Sequence, residues 1–401
     1  NLTGNLTLTS TGGGVSLGSG TTIITNNLTV NGSLTGTGNI AFRSGVNGDL
    51  LISQTFVTPT TYSGNITGNG KLTKSGSGSL TLTGSNTFTS GITISEGTLI
   101  GNTQSLLGNV VNNGNLIFNQ SNAGTFAGNI SGTGYVGKDG QGVLTLSGVN
   151  NYSNGTQIAN GTIVGNTQSL FGNIINNAAL IFDQSGTGQF AGNISGSGSV
   201  TKLGQGNLTL TGTNSYTGGT TVSTASLIGN TQSLTGNIVD NATVIFDQAT
   251  NGTFAGNISG TGALLKLGAG SLTLSGRNSY TGGTTITTGT LIGNSQSLTG
   301  NIIDNAFLTF DQSNTAVIQS NDAVFAGRIS GSGALTKQGS GSLTLSGENN
   351  YQGGTTISAG ALIGNTQSLI GNIVDNASLI FDQSTDATFS GNISGSGNVI
   401  K

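Results

Sequence analysis

The residues most able to do chemistry in this chain are glycine pairs, aspartates and lysines at fixed intervals. Gly76-Ser77-Gly78 and its relatives open like a dinucleotide-binding loop. Such a loop needs a helix next, with its amino end facing the phosphates. Leu80-Thr81-Leu82 follows instead, which alternates as a strand does, so the glycines read as a tight turn. Asp183, Asp247, Asp311 and Asp382 share one repeat position, where an earlier copy has Asn119. Asp240, Asp304 and Asp375 share another, matched by Asn112 and Asn176. A metal ligand or catalytic acid does not readily exchange with a neutral amide. Both sets therefore read as polar caps or turn formers on the surface. Lys74, Lys138, Lys202, Lys266 and Lys337 also recur in register and read as solvated charges that discourage aggregation. Sequons such as Asn129-Ile130-Ser131 and Asn193-Ile194-Ser195 sit in the same register and read as turn or stacked-amide positions.

Whole classes of chemistry are closed by composition. Cysteine, histidine, tryptophan and methionine are absent. That removes disulfides, thiolate zinc sites, imidazole ligands and the Ser-His-Asp triad. No catalytic residue, metal or cofactor is expected. Charged residues make up 6% of the chain and the net charge is -3. The ten Lys and Arg are scattered, so there is no basic patch for nucleic acid. No apolar run approaches the roughly 18 residues of a membrane span. The start, Asn1-Leu2-Thr3-Gly4, is not a signal peptide and has no initiator Met, so a piece of a longer protein is expected.

What positions these residues is a repeat. A 25-residue block from Gly76 to Ile100 returns at Gly140, Gly204, Gly268 and Gly339, the first three steps being 64 residues each. Repeat starts near 101, 165, 229, 293 and 364 mark the same unit, and the last interval is 71. The extra residues fall between Phe310 and Phe325, which predicts a surface loop near 314–323. Leu80-Thr81-Leu82-Thr83 and Leu343-Thr344-Leu345-Ser346 alternate apolar and polar, bounded by Gly and Asn, and no long helical spacing appears. The predicted fold is all-β, a right-handed parallel β-helix with about three rungs per 64-residue repeat. Residues 1–62 form its irregular rungs and 63–401 its repeats. At about 4.8 Å per rung, some 19 rungs are expected. Asn86, Asn150, Asn214 and Asn278 are expected on one corner, three rungs apart. Leu80, Leu82, Leu208, Leu210, Leu343 and Leu345 should be buried, with Thr81, Thr209 and Thr344 outward.

The fifth copy shows the motif best: Gly339-Ser340-Gly341, Leu343-Thr344-Leu345-Ser346-Gly347, Asn349, Tyr351, then Gly353-Gly354-Thr355-Thr356. This resembles the passenger-associated transport repeat of autotransporters, the type V secreted proteins of Gram-negative bacteria. The resemblance covers roughly residues 64–401. It implies a passenger exported across the outer membrane and held at the cell surface or outside the cell. It also implies a translocator barrel in the parent chain, which this sequence lacks.

The function expected from this is non-catalytic: an adhesin or self-association rod acting through many weak polar contacts. Its partners would be a host cell surface or a sister-cell passenger, with no nucleic acid. One alternative is a structural stalk that lifts a distal domain. Another is a β-helical polysaccharide-degrading enzyme, disfavoured because the 13 acidic residues are spread along the array. Within the predicted loop, Asn314, Val317, Ile318, Gln319, Asn321 and Asp322 are the candidate partner contacts.

Overall fold

The computed structural model describes residues 4–10, 14–43, 47–55, 58–313 and 323–401. It divides into two compact units, residues 1–200 and 201–401. Each is a parallel β-solenoid of strands two to five residues long, and the described residues contain no α-helix.

In the first unit each turn lays strands on three faces. On one face Leu80 pairs in parallel with Leu99, Leu99 with Leu116, Leu116 with Val136 and Val136 with Thr156. Turns are therefore 17 to 20 residues long here, by subtraction of those numbers. Alternation decides what lies inside: Leu80 and Leu82 are buried, while Thr81 between them faces outward and is partly exposed. Among the described residues before 63 the step is less even: Thr22 pairs with Asn39 and Val15 with Leu34, but Leu6 with Leu28 and Leu28 with Leu50.

The repeat is not a whole number of turns. Three turns above Leu80 on its own ladder stands Val136. Leu144, the repeat mate of Leu80, lies one face further on, in the ladder Gly124, Leu144, Ile163, Leu180. One repeat is thus three and one-third turns. The second unit obeys the same rule. Leu208 pairs with Leu227, Leu272 with Gly252 and Leu291, and Leu343 with Ala323 and Leu362, each on a different ladder. The six leucines expected inside are buried. The expectation that Asn86 and its mates share one corner is overturned, because successive copies are rotated by one face.

Those asparagines tie turns together where the strand ladder lapses. Asn86 Oδ1 accepts from Ile66 N at 2.8 Å and its Nδ2 donates to Ser105 O at 2.7 Å, one turn below and one above. Asn150 bridges Ile130 and Ser169, and Asn349 bridges Ile329 and Ser368, in the same way. The Gly-x-Gly turns are tight, as read from the sequence: Gly76 has φ of 74°. Gly97, Gly161, Gly289 and Gly360 also take positive φ, and a Cβ on Gly97 would come within 2.9 Å of Lys74 Nζ. The third copy breaks this rule, holding Ala225 at φ 55°.

Candidate contact surface

The recurring lysines are inside the solenoid, which corrects their reading as solvated charges. Lys74, Lys202, Lys266 and Lys337 are 0% exposed and Lys138 is 1%. Each alternates in phase with the core, so Lys74 points inward with Leu72 while Thr73 and Ser75 point out. The ammonium is satisfied by backbone. Lys266 Nζ donates to Leu267 O at 2.6 Å, Gly268 O at 2.7 Å and Thr288 O at 3.2 Å. The other four make the same three bonds to their own turns. The three donors of the cation end on backbone carbonyls, one of which, Leu267 O, is shared with Gln248 N. Burial pushes the Lys74 and Lys337 amines down to about 8, against the opposing pull of Glu96 and Asp311.

The second aspartate set is also buried, against its reading as surface caps. Asp240, Asp304 and Asp375 are 0–1% exposed, as are Asn112 and Asn176 at the same position. In the asparagine copies Nδ2 donates to Tyr135 O and to Ser199 O, both at 2.8 Å. An aspartate puts an oxygen where that donor stood. Oδ1 still accepts from Ala242, Ala306 or Ala377 N at 3.0 Å, but Oδ2 is buried with no partner. Burial pushes the Asp240 and Asp304 carboxyls up to about 6. The first set does stand at the surface: Asp183, Asp247 and Asp382 are exposed and Asp311 partly so.

Outward positions carry neutral polar side chains for the most part. The sequon asparagines form columns across turns, joined by backbone N–H to side-chain oxygen and not amide to amide as in a stacked-amide ladder. Asn129 donates its backbone N–H to Asn109 Oδ1 at 2.9 Å and accepts from Val149 N at 2.8 Å. In the second unit Asn237, Asn257 and Arg277 N continue the pattern. One apolar residue per copy is exposed in register: Val111, Ile175, Val239, Ile303 and Val374, at 40–47%. Its ladder neighbours are hydroxylic in most copies, for example Thr221 and Ser259 beside Val239.

The predicted contact residues Asn314, Val317, Ile318, Gln319, Asn321 and Asp322 lie outside the described residues. The turns that flank them keep their register. Phe310 and Phe325 meet edge to face with ring centres 5.0 Å apart, as Phe246 and Phe254 do at 5.1 Å without the insertion. Among the described residues no three His, Cys, Asp or Glu side chains gather as a metal would need, and no helix is long and apolar enough to cross a membrane.

A solenoid whose faces repeat, with hydrogen bonds between turns and lysines held inside, defines a class of stacked repeat proteins. Its repeat is recognisable. Residues 72–100, 137–164, 200–228, 264–292 and 335–363 match the passenger-associated-transport-repeat family. The autotransporter adhesin BmaC of Brucella suis biovar 1 (strain 1330) is 30% identical over 303 residues. That stretch is 59% of this chain and 8% of the adhesin, so the chain spans a small fraction of that relative's length. No solved structure matches the chain. Those five stretches are similar to the passenger-associated transport repeat, and together with the likeness to the adhesin they support an autotransporter passenger.

Proposed function

We propose that this chain is a non-catalytic segment of an autotransporter passenger, displayed at the surface of a Gram-negative bacterium, where its faces adhere to host or sister cells. The observation that supports adhesion is the placement of charge. Of ten Lys and Arg, five are the buried lysines, leaving five elsewhere (10 − 5). Three of the acids are buried too. What remains outside is mostly Thr, Ser and Asn with single apolar residues, turned to each face in succession. Such a surface makes weak contacts that are additive along a rigid support. It needs no oppositely charged partner, which argues further against nucleic acid.

A catalytic reading finds little support. Asp240, Asp304 and Asp375 each face backbone, not one another across a groove. The stalk remains the second reading, since the same regular turns would serve to lift a distal domain. Deleting residues 63–401 from the parent protein, with any distal domain kept, separates the two. Adhesion predicts that cell binding is lost; a stalk predicts binding at a shorter reach. Residues 314–322 are a further contact proposal on this reading, because stacking does not require them.

A further inference from the structure

One copy of the repeat departs from the others at five positions that meet on the outside of a single face. Tyr135 stands where the other copies have Lys71, Ser199, Ala263 and Ala334. Gly137 replaces Thr73, Thr201, Leu265 and Thr336. Asp139 replaces Ser75, Leu203, Leu267 and Gln338. Gln157 replaces Thr in all four other copies, and Ala159 replaces Ser or Thr. Tyr135, Gly137 and Asp139 share the outward phase of one strand, with Val136 and Lys138 facing in. Gly137 pairs with Ile117 on the turn below and with Gln157 on the turn above.

Losing the side chain at 137 opens a depression of about 120 Å³. Ile117 and Gly137 form its floor, and Tyr135, Asp139, Gln157 and Ala159 line it. A Cβ on Gly137 would stand 3.2 Å from Ile117 and 3.4 Å from the Tyr135 ring, so any larger residue there fills the space. The Asp139 carboxylate is held in place. Its Oδ1 accepts from Asn160 Nδ2 and Gly140 N, both at 2.8 Å, which leaves Oδ2 to a ligand. The Asn160 bond, the Gly140 bond and the Lys138 charge beneath hold this carboxyl below the ordinary range, so it is an acceptor at neutral pH.

We propose that this depression binds one neutral sugar ring of a surface glycan. A pyranose offers a face of C–H bonds and a rim of vicinal hydroxyls. The electron-rich Tyr135 face suits the first. The Asp139 carboxylate, beside a Gln157 amide that both donates and accepts, suits the second. The volume is well under the roughly 300–1,000 Å³ of small-molecule pockets, so a single residue of a chain is seated and affinity comes from multivalent display. The local anion disfavours sialylated or sulfated rings. The inference rests on the adhesive reading above but is tested apart from it.

The test uses the full chain and immobilised oligosaccharides of neutral hexoses and N-acetylhexosamines, with sialylated and sulfated ones for comparison. The variants return this copy to its siblings' residues: Tyr135→Ala, Gly137→Thr and Asp139→Leu. Each side chain already occurs at the same position in another copy, so melting should be unchanged. The expected result is neutral-glycan binding that falls about tenfold or more in each variant, with no matching loss of melting temperature. The proposal is overturned if no neutral glycan binds, if anionic glycans bind equally well, if a lysine-rich peptide competes for the site better than sugar, or if the triple variant binds as the parent does. Cell adhesion without glycan binding would remove this site and leave the adhesive reading standing. Glycan binding without cell adhesion would do the reverse.

Discussion

At the scale of single residues, the buried aspartates make stability depend on pH in an unusual direction. Asp240 and Asp304 have carboxyls raised to about 6 from 3.8, because burial disfavours the anion. When protonated, Oδ2 gains the donor that Asn112 and Asn176 supply in the earlier copies, aimed by the same register at the Ala263 and Ala334 carbonyls. The folded state then binds more protons than the unfolded one between those two values. The stabilisation is full below about pH 4 and is lost as pH rises through about 6. We expect a higher melting temperature at pH 5 than at pH 7.5. Asp240→Asn with Asp304→Asn should flatten that difference and raise stability at pH 7.5 by on the order of 2 kcal/mol per site. Melting that rises from pH 5 to 7.5 in the parent chain would contradict this placement. The signal for burial was in the sequence. Asp240 follows Ile238 by two residues, and Lys74 follows Leu72 by two, so both share the core's phase. Residue type points these groups to the surface, but the alternation that buries Leu80 and Leu82 outweighs it.

At the scale of strands and turns, the fold was legible because the alternation repeats. Four-residue strands such as Ser79-Leu80-Thr81-Leu82 carry too little pattern alone, but five copies in phase fix them as rungs. What the sequence did not disclose was the fraction of a turn. A 64-residue interval divides plausibly into three lengths of about 21, whereas turns of 17 to 20 residues make three and one-third. Spacing alone cannot separate these, since turn length is set by how the corners pack. The clamp asparagines follow from that geometry. Asn278 accepts from Ile258 N at 2.8 Å and donates to Ser297 O at 2.6 Å, bonding two neighbouring turns. Asn278→Ala leaves a backbone donor and a backbone acceptor without partners. It should cost about 2–5 kcal/mol, read as a lower denaturant midpoint. A midpoint unchanged from the parent would mean that the turns hold without the clamp.

At the scale of the molecule, a repeat of three and one-third turns has a consequence for contact. Each exposed repeat position moves to the next face in the next copy, as Leu208, Leu272 and Leu343 do inside. A partner then meets copies of the same outward residues from any side, which suits adhesion better than a single binding stripe. The candidate site was only partly visible beforehand. The insertion is legible in the sequence because it changes the repeat length, whereas the depression at Gly137 changes only residue types. It emerges when the five copies are compared at Tyr135, Gly137, Asp139 and Gln157 together. The most direct test of the adhesive account is to display residues 1–401 alone, on a foreign translocator, at the surface of a non-adherent bacterium. Cells attached to a host monolayer and cells settled in suspension are then counted. The account predicts attachment or clumping well above that of the same bacterium displaying a chain of equal length whose outward Thr, Ser and Asn and exposed Val and Ile are replaced by alternating Lys and Glu. Equal counts for the two would contradict it and leave the chain a stalk.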